Sequence, residues 1–109
     1  MSISPSEKIK VSIEGNIATI VIDNPGANTW DRESLPALRQ VIETLNGEPT
    51  VYALVLTGAG QKFFSAGADL NQFASGDADV ARAVGEAFGE AFETLADFRG
   101  VSIAAINGF

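Results

Sequence analysis

The chain has 109 residues, of which 46% are hydrophobic and 19% charged, and its net charge is −7. This length suits one domain, and the apolar content excludes an intrinsically disordered chain. A strongly negative chain repels phosphate backbones and anionic lipids, so we expect no nucleic-acid partner and no membrane partner. The chain contains no Cys and no His, which excludes disulfides, thiol catalysis, imidazole or thiolate metal ligands, and any catalytic triad with an imidazole base.

The chain carries no sequence signal for export or for membrane insertion. Its longest apolar runs, such as residues 51–56, are much shorter than the roughly 20 residues that span a bilayer. Residues 1–10 are polar and lack the apolar segment of a signal peptide. We therefore expect a cytoplasmic protein, or one that reaches an organelle lumen after processing.

The first predicted elements are two strands joined by a tight turn. Apolar and polar residues alternate over residues 8–14, which indicates a strand with one solvated face. Gly15 and Asn16 are typical of a two-residue hairpin turn. The β-branched run over residues 17–23 predicts the partner strand, buried on both faces. Residues 24–28 contain Pro, Gly and Asn, which predict a loop.

A helix and a parallel strand are predicted next. Asp31 is a suitable cap for a helix that runs to about Asn46, and Pro36 favours a start near Ser34, because a proline beyond the first turn removes a hydrogen bond. The uninterrupted apolar run over residues 51–56 predicts an inner strand of a parallel sheet. Together with the hairpin, this helix and strand make a ββα unit.

The second half of the chain is predicted as a loop, a helix and a strand. The loop, residues 57–72, is rich in glycine and follows a parallel strand, where ligands usually bind in α/β folds. Helical spacing of apolar residues predicts a second helix over residues 77–99, and the run at residues 101–106 predicts another strand. Three glutamates of the helix are interpreted as one solvated face: Glu86, Glu90 and Glu93.

Well-known loop motifs do not fit residues 57–72. The glycines after the strand resemble the opening of a dinucleotide-binding loop, but Phe63 occupies the third glycine position. Phe63 also follows Lys62, where a P-loop has Ser or Thr. Ser65 and Gly67 supply half of a nucleophile elbow, yet the chain has no His to activate the hydroxyl.

Two positions allow alternative interpretations. Asp69 is a carboxylate within the loop, but its position before residues 70–73 favours the N-cap of a short helix. The N–H groups around Ala68 and Asp69 would then favour a developing negative charge, so that the chemistry would belong to the backbone. Trp30 is either a core anchor or the wall of a pocket.

Three sequence blocks, in this order and spacing, resemble the crotonase, or enoyl-CoA hydratase/isomerase, superfamily. They are LTGAG at residues 56–60, FSAGADL at 64–70 and AAINGF at 104–109. The earlier IDNPGANT, residues 22–29, resembles the coenzyme A loop of that family. The resemblance implies an α/β fold, a crotonase-like spiral of ββα units. Residues 1–109 would be a single N-terminal portion of such a domain, truncated at its C-terminal end.

The same resemblance implies the site residues. Members polarise an acyl-CoA thioester with two backbone N–H groups that stabilise an enolate-like oxyanion, and by position one of these belongs to Ala68. The second N–H and two catalytic glutamates normally follow the Asn-Gly-Phe block. The implied substrate- and CoA-binding residues are Ala27, Asn28, Ala66, Asp69, Leu70 and Asn71. Asn71 stands where many relatives carry Lys. Lys62 and Arg32 are either substitute contacts for the coenzyme phosphates or ordinary solvated cations.

The function implied by the resemblance is that of an acyl-CoA-binding part of an enzyme that hydrates or isomerises a 2-enoyl-CoA in fatty-acid or related metabolism. No metal and no cofactor are implied, since coenzyme A is part of the substrate. A non-catalytic acyl-CoA-binding or assembly module of the same fold is the alternative. Because the acid and base residues are missing, we expect this chain alone to be inactive.

The strands and the candidate site lead to two structural expectations. Apolar strands need cover on both faces, so we expect either an oligomer or packing against a second segment. By family resemblance the oligomer would be a homo-oligomer, a trimer or a dimer of trimers. In it, the partner would bury Phe98, Ile103 and Phe109. The N–H of Ala68 should point into an open cleft and have no backbone acceptor, because a donor meant for a thioester oxygen is not available to secondary structure.

Overall fold

The computed structural model describes residues 3–74 and 76–109, apart from the side chain of Phe73. Residues 1 and 2 of the polar amino-terminal stretch therefore lie outside the described residues. The elements in chain order are strands β1 (Ile9–Glu14) and β2 (Ile17–Ile22), helix α1 (Ser34–Asn46), strand β3 (Ala53–Gly58), a 3₁₀ helix (Leu70–Phe73), helix α2 (Ala78–Ala96) and strand β4 (Val101–Ala104). The predicted hairpin, helices and strands are present, with β3 beginning two residues later than expected and β4 ending two residues earlier.

The four strands form one sheet in the order β1-β2-β3-β4. β1 and β2 pair antiparallel, with Ile9 opposite Ile22, as a tight hairpin requires. β3 runs parallel to β2, and β4 runs parallel to β3. The predicted ββα unit is therefore confirmed, and the carboxyl ends of β2, β3 and β4 meet at one edge of the sheet.

The hydrophobic core lies on the face of the sheet that α1 covers. From β2 and β3, Ile20, Ile22 and Leu54 are completely buried. They belong to one cluster with the apolar stripe of α1, whose period matches the helix. The α1 residues in this cluster are Leu35, Ala37, Leu38, Val41, Ile42 and Leu45.

Helix α2 packs along α1 and contacts the 3₁₀ helix. Val84 and Ala91 are its buried residues, while its glutamates Glu86, Glu90 and Glu93 are exposed. The prediction of a solvated glutamate face is therefore confirmed. Within the described ranges, neither helix combines the length and apolarity needed to cross a bilayer.

The other face of the sheet is open. Ile17 is 48% exposed, and Thr19 and Val21 are only partly buried. The prediction that β2 is buried on both faces is wrong, because the described helices cover one side of the sheet only. All of β4 is exposed, including Ser102 and Ala104, which pair with the buried Leu54 and Leu56. The described helices therefore leave both faces of this edge strand uncovered.

Phe98 is buried within the core of its own chain, at 6% exposure. The expectation that a partner buries it is therefore wrong: the turn between α2 and β4 directs this ring inward. Ile103 and Phe109 are 50% and 82% exposed, and the expectation that a partner covers them stays a prediction.

The residue that immediately precedes α1, Glu33, makes no side-chain cap bond, and Asp31, two residues earlier, caps the first turn as predicted. Its Oδ1 accepts hydrogen bonds from the N–H groups of Glu33 (3.0 Å) and Ser34 (2.8 Å), and the Ser34 hydroxyl accepts from the N–H of Asp31 (2.9 Å). Its Oδ2 pairs with Lys8 Nζ at 2.6 Å. Burial by itself would raise the pKa of Asp31, but the hydrogen bonds from Lys8, Ser34 and Glu33 outweigh it and lower the pKa.

Candidate functional site

The candidate site begins where the chain leaves β3 and turns back over its own strand end. Gly58 makes this turn possible, because a Cβ at that position would lie 2.5 Å from the Phe64 carbonyl oxygen and 2.6 Å from that of Phe63. Such distances exclude any side chain larger than that of glycine unless the backbone moves. The loop of residues 59–64 therefore lies directly against the end of the sheet.

Beyond this loop, residues 66–69 run parallel to residues 27–30 of the loop after β2. The two segments come from regions that are far apart in sequence, and Trp30 of one lies opposite Ala68 of the other. Three backbone hydrogen bonds join them: the Ala66 N–H to the Ala27 oxygen (3.0 Å), the Trp30 N–H to the Gly67 oxygen (2.8 Å) and the Asp69 N–H to the Trp30 oxygen (2.9 Å). We call this pairing the site ladder.

Ala68 is the residue of the site ladder whose N–H group is not used. Among residues 3–74 and 76–109, this N–H has no hydrogen-bond acceptor. The neighbouring Gly67 N–H donates to the Ser65 hydroxyl (3.1 Å), and the Asp69 N–H donates to the Trp30 carbonyl. The expectation of an N–H without a backbone acceptor is therefore confirmed at Ala68. It is wrong at Asp69, because the parallel pairing uses the Asp69 N–H. That the Ala68 N–H points into an open cleft stays a prediction.

Gly67, the residue before Ala68, adopts φ +94°. Only glycine enters this region at little cost, and the turn brings the 66–69 segment alongside Trp30. Ala68 is partly buried. The neighbours of Ala68, Gly67 and Asp69, are both held by hydrogen bonds, whereas the Ala68 N–H remains available as a donor.

Asp69 caps the 3₁₀ helix, which confirms this interpretation of its role. Its carboxylate accepts a hydrogen bond from the Asn71 N–H at 3.0 Å. One oxygen of the carboxylate, Oδ1, is thus used by the backbone. Three of the predicted CoA-binding residues are exposed around it, with Leu70 at 78%. These are Ala66, Leu70 and Asn71.

Asn28 lies behind the ladder rather than on its surface. It is 5% exposed and adopts φ +51°, a conformation that Asn tolerates better than most residues. Its side chain bonds to the backbone of the 59–64 loop. Ala27, the other residue predicted here, is partly buried and uses its carbonyl in the ladder.

Of the two interpretations of Trp30, a core anchor or a pocket wall, the structure supports the core anchor. It is 4% exposed and packs edge-on against Phe92 of α2, with 5.5 Å between ring centroids. Phe92 in turn stacks on Phe88. This aromatic group ties the site ladder to α2.

Two cations beside the site have exposed side chains without an acidic partner in the described part of the chain. Lys62 lies over the Phe63 ring at 5.5 Å, and the side chain of Arg32 extends from the start of α1. By contrast, Arg39 pairs with Glu43 and Glu90 at 2.8 Å. The described residues contain no group of three or more His, Cys, Asp or Glu side chains arranged to hold a metal ion.

Comparison with known proteins identifies the family. The model of the family described as enoyl-CoA hydratase/isomerase matches residues 12–109, nearly the whole chain. The chain belongs to this family. Its fold is α/β, and its ββα unit corresponds to the amino-terminal part of the crotonase-like structures.

The chain is similar to curated and to structurally known members. Carnitinyl-CoA dehydratase of Salmonella arizonae is 36% identical over 104 residues, which are 95% of this chain and 40% of the relative. The structure of Pseudomonas aeruginosa DspI is 62% identical, with a TM-score of 0.93, over 95% of this chain and 40% of that one. Enoyl-CoA hydratase from Bacillus anthracis is 29% identical, with a TM-score of 0.89. The chain spans about 40% of the length of the relatives it matches.

Proposed function

We propose that this chain binds the thioester end of an acyl-CoA and that the Ala68 N–H is one oxyanion donor for the hydration or isomerisation of a 2-enoyl-CoA. The observation that carries the proposal is the Ala68 N–H, the ladder donor without an acceptor in the described residues. A thioester oxygen that accepts this bond gains negative charge as an enolate forms. A fixed donor stabilises that charge without reorganising, and one such donor contributes about 10²–10³ in rate.

The remaining chemistry would come from groups that this chain does not present at the site. Asp69 is the carboxylate next to Ala68, and one of its oxygens caps the 3₁₀ helix by accepting the Asn71 N–H. Water attack on an alkene needs a positioned base and acid besides the oxyanion donor. We therefore expect the purified chain not to hydrate crotonyl-CoA measurably, and turnover at ordinary enzyme rates would direct the search to Asp69, Glu86 and Glu90.

The second candidate function is a non-catalytic acyl-CoA-binding or assembly module. The structural use of one Asp69 oxygen as a helix cap favours it, since a binding module needs no acid or base at the site. An acyl-CoA-binding module would share both the ligand and the Ala68 contact with the first candidate. In an assembly module, by contrast, the Ala68 N–H has no thioester oxygen to bind.

The deciding experiment follows the Ala68 amide by ¹H–¹⁵N NMR. Crotonyl-CoA should shift this amide proton downfield, because its thioester oxygen accepts the bond. Free coenzyme A is the matched control, since it has the same nucleotide and pantetheine but no acyl carbonyl. Equal shifts with both ligands would contradict the oxyanion role, and no shift anywhere in the site ladder would contradict acyl-CoA binding.

Lys62 and Arg32 are the proposed contacts for the phosphates of coenzyme A. Both have exposed side chains with no acidic partner in the described part of the chain, so their charges are available to an anion. Lys62→Ala and Arg32→Ala should each weaken coenzyme A binding several-fold. Arg82→Ala removes an exposed arginine of α2 as the control. An equal loss in all three variants would indicate a general charge effect.

A homo-oligomer, a trimer or a dimer of trimers, is also part of this proposal, as is a cytoplasmic location. Ile103 and Phe109 are exposed on an open sheet face and near its edge, where apolar area favours association. Light scattering after size-exclusion chromatography measures the mass directly. A stable monomer at micromolar concentration would contradict the oligomer.

A further inference from the structure

Two asparagine side chains bind the same carbonyl behind the candidate site. Asn28 Nδ2 donates to the Phe63 carbonyl at 3.0 Å, and Asn107 Nδ2 donates to it at 3.2 Å. One residue precedes α1 and the other follows β4, so they reach Phe63 from opposite ends of the chain. A carbonyl oxygen has two lone pairs, and here both are used.

Each amide also binds other backbone groups around the 59–64 loop. Asn28 Nδ2 donates to the Ala59 carbonyl at 3.0 Å, and its Oδ1 accepts from the Asn24 N–H at 3.1 Å. The Asn107 side chain behaves in the same way, with a donor bond to Gly60 and an acceptor bond from Gly58, both at 3.0 Å. We call the two side chains and the Phe63 carbonyl the amide clamp.

The amide clamp is connected to the site ladder by a short, hydrogen-bonded stretch of backbone. The N–H groups of Phe64 and Ser65 donate to the Phe109 carbonyl at 2.7 and 3.1 Å, and the Phe109 N–H donates to the Lys62 carbonyl at 3.0 Å. The next residue, Ala66, is already in the site ladder. The backbone between the clamp and Ala68 therefore has little freedom to shift.

A direct ligand contact is a poor explanation of the Asn28 side chain. The residue is 5% exposed, and both its amide nitrogen and its oxygen have protein partners. Its bonds all go to backbone groups. Side chains of this kind act on the position of the main chain and not on a substrate.

We propose that Asn28 and Asn107 are positioning residues, which hold the Phe63 carbonyl from two sides and thereby fix the direction of the Ala68 N–H. The inference rests on the proposed oxyanion role of that N–H. The new element is the amide clamp, in which two side-chain amides outside residues 66–69 keep the Ala68 N–H in place. A donor that stays oriented before the substrate arrives is what oxyanion stabilisation requires.

The test uses Asn28→Asp and Asn107→Asp, which keep the side-chain shape and the acceptor oxygen but remove the two N–H donors. The matched control is Asn16→Asp, because Asn16 also donates its amide to a carbonyl, that of Thr50 at 2.6 Å, at the other end of the sheet. All three variants add the same charge. Hydrogen exchange of the ligand-free chain is then measured for each backbone amide.

Both clamp variants should speed exchange of the site-ladder amides of Trp30, Ala66 and Asp69 by about 10-fold or more, because the ladder loosens locally. Exchange of core amides such as that of Leu54 should change much less, and Asn16→Asp should leave the site ladder unchanged. Equal acceleration at the ladder and the core would mean a purely structural role and overturn the proposal. Unchanged ladder exchange would overturn it as well.

A third variant distinguishes the effect of the Asn28 side-chain amide from the effect of the positive φ at this position. Asn28→Gly keeps φ +51° accessible and removes the side chain, so its site ladder should exchange as fast as that of Asn28→Asp. Slow exchange in Asn28→Gly would overturn the proposal. Ligand binding is tested separately, by titrating the unsubstituted chain with crotonyl-CoA. Failure to bind would contradict the proposed function, whereas the hydrogen-exchange rates of the ligand-free variants would still test the amide clamp.

Discussion

The core beneath α1 and the site ladder are held together by different forces. In the core, Ile20, Leu38 and Leu54 are completely buried and stabilise the fold by apolar contact. In the site ladder, the contacts are backbone hydrogen bonds and the amides of Asn28 and Asn107. The apolar contacts of the core do not depend on the position of any single polar atom, whereas the site ladder fixes the positions of individual N–H and C=O groups.

The difference shows how a chain can be stable and still keep a reactive group unpaired. Apolar packing is non-directional, so the core tolerates changes in shape if volume is kept. Hydrogen bonds are directional, and three of them place Ala68 while leaving its own N–H without an acceptor in the described residues. Substitutions in the core should therefore change stability everywhere, and substitutions near the ladder should act locally.

The largest effect is expected in the core. Leu54→Ala leaves a cavity at a site with 0% exposure and should lower the free energy of unfolding by about 3–5 kcal/mol. Leu70→Ala is the matched control, since the same change at 78% exposure should cost less than about 0.5 kcal/mol. Urea denaturation measures both. Similar losses for the two variants would contradict the assignment of the core.

A smaller effect is expected where the core meets the site, at Asp31. Asp31→Ala removes the cap of α1 and leaves Lys8 without its 2.6 Å partner, so stability should fall by about 2–3 kcal/mol. Asp79→Ala removes an exposed aspartate whose partner Arg82 lies at 3.8 Å, and should cost about 0–1 kcal/mol. Equal losses of unfolding free energy in the two variants would mean that the burial and capping bonds of Asp31 add nothing to stability.

The same carboxylate predicts how stability depends on pH. Its pKa in the folded chain is lowered, so its stabilisation is complete above the ordinary aspartate value of about 3.9 and is lost as pH falls through the folded value. Hydrogen bonding to Asp31 raises the pKa of Lys8, and the stabilisation from Lys8 is lost only in strong alkali. Asp31→Asn should flatten the acid limb in thermal melts below about pH 4. An unchanged acid limb would contradict this role of Asp31.

The smallest effect on stability is expected in the site ladder itself. Ser65→Ala removes the hydroxyl that accepts the Gly67 N–H at 3.1 Å and should cost about 0.5–1 kcal/mol. Exchange of the Gly67 amide should become faster while core amides keep their rates. Ser12→Ala, on the exposed edge strand, is the control. Faster exchange throughout the core would show that the two regions are not separable.

The local elements could be predicted from the sequence because their signals lie within a few residues. Alternation over residues 8–14, the Asp31 cap and the Asp69 cap each depend on near neighbours, and all are confirmed. The error at β2 came from interpreting β-branched residues as buried on both faces. Thr19 and Val21 suit a strand whether or not a second layer covers them.

The amide clamp could not have been predicted in this way. Asn107 binds Gly60 and Phe63 across separations of 47 and 44 residues, and neither periodicity nor turn chemistry relates such positions. The inward position of Phe98 has the same origin, since it depends on how the turn after α2 is placed. For Asn28, one signal was available: asparagine tolerates positive φ, and the residue follows Pro, Gly and Ala in a loop.

The unused N–H of Ala68 belongs to the main chain, and this changes how the group responds to genetic variation. Every substitution at position 68 except proline keeps an N–H there. A systematic alanine scan cannot remove it, and random mutagenesis reaches it mainly through changes that move the backbone. Replacing the amide by an ester through chemical synthesis is the direct way to delete this one donor from the 109-residue chain.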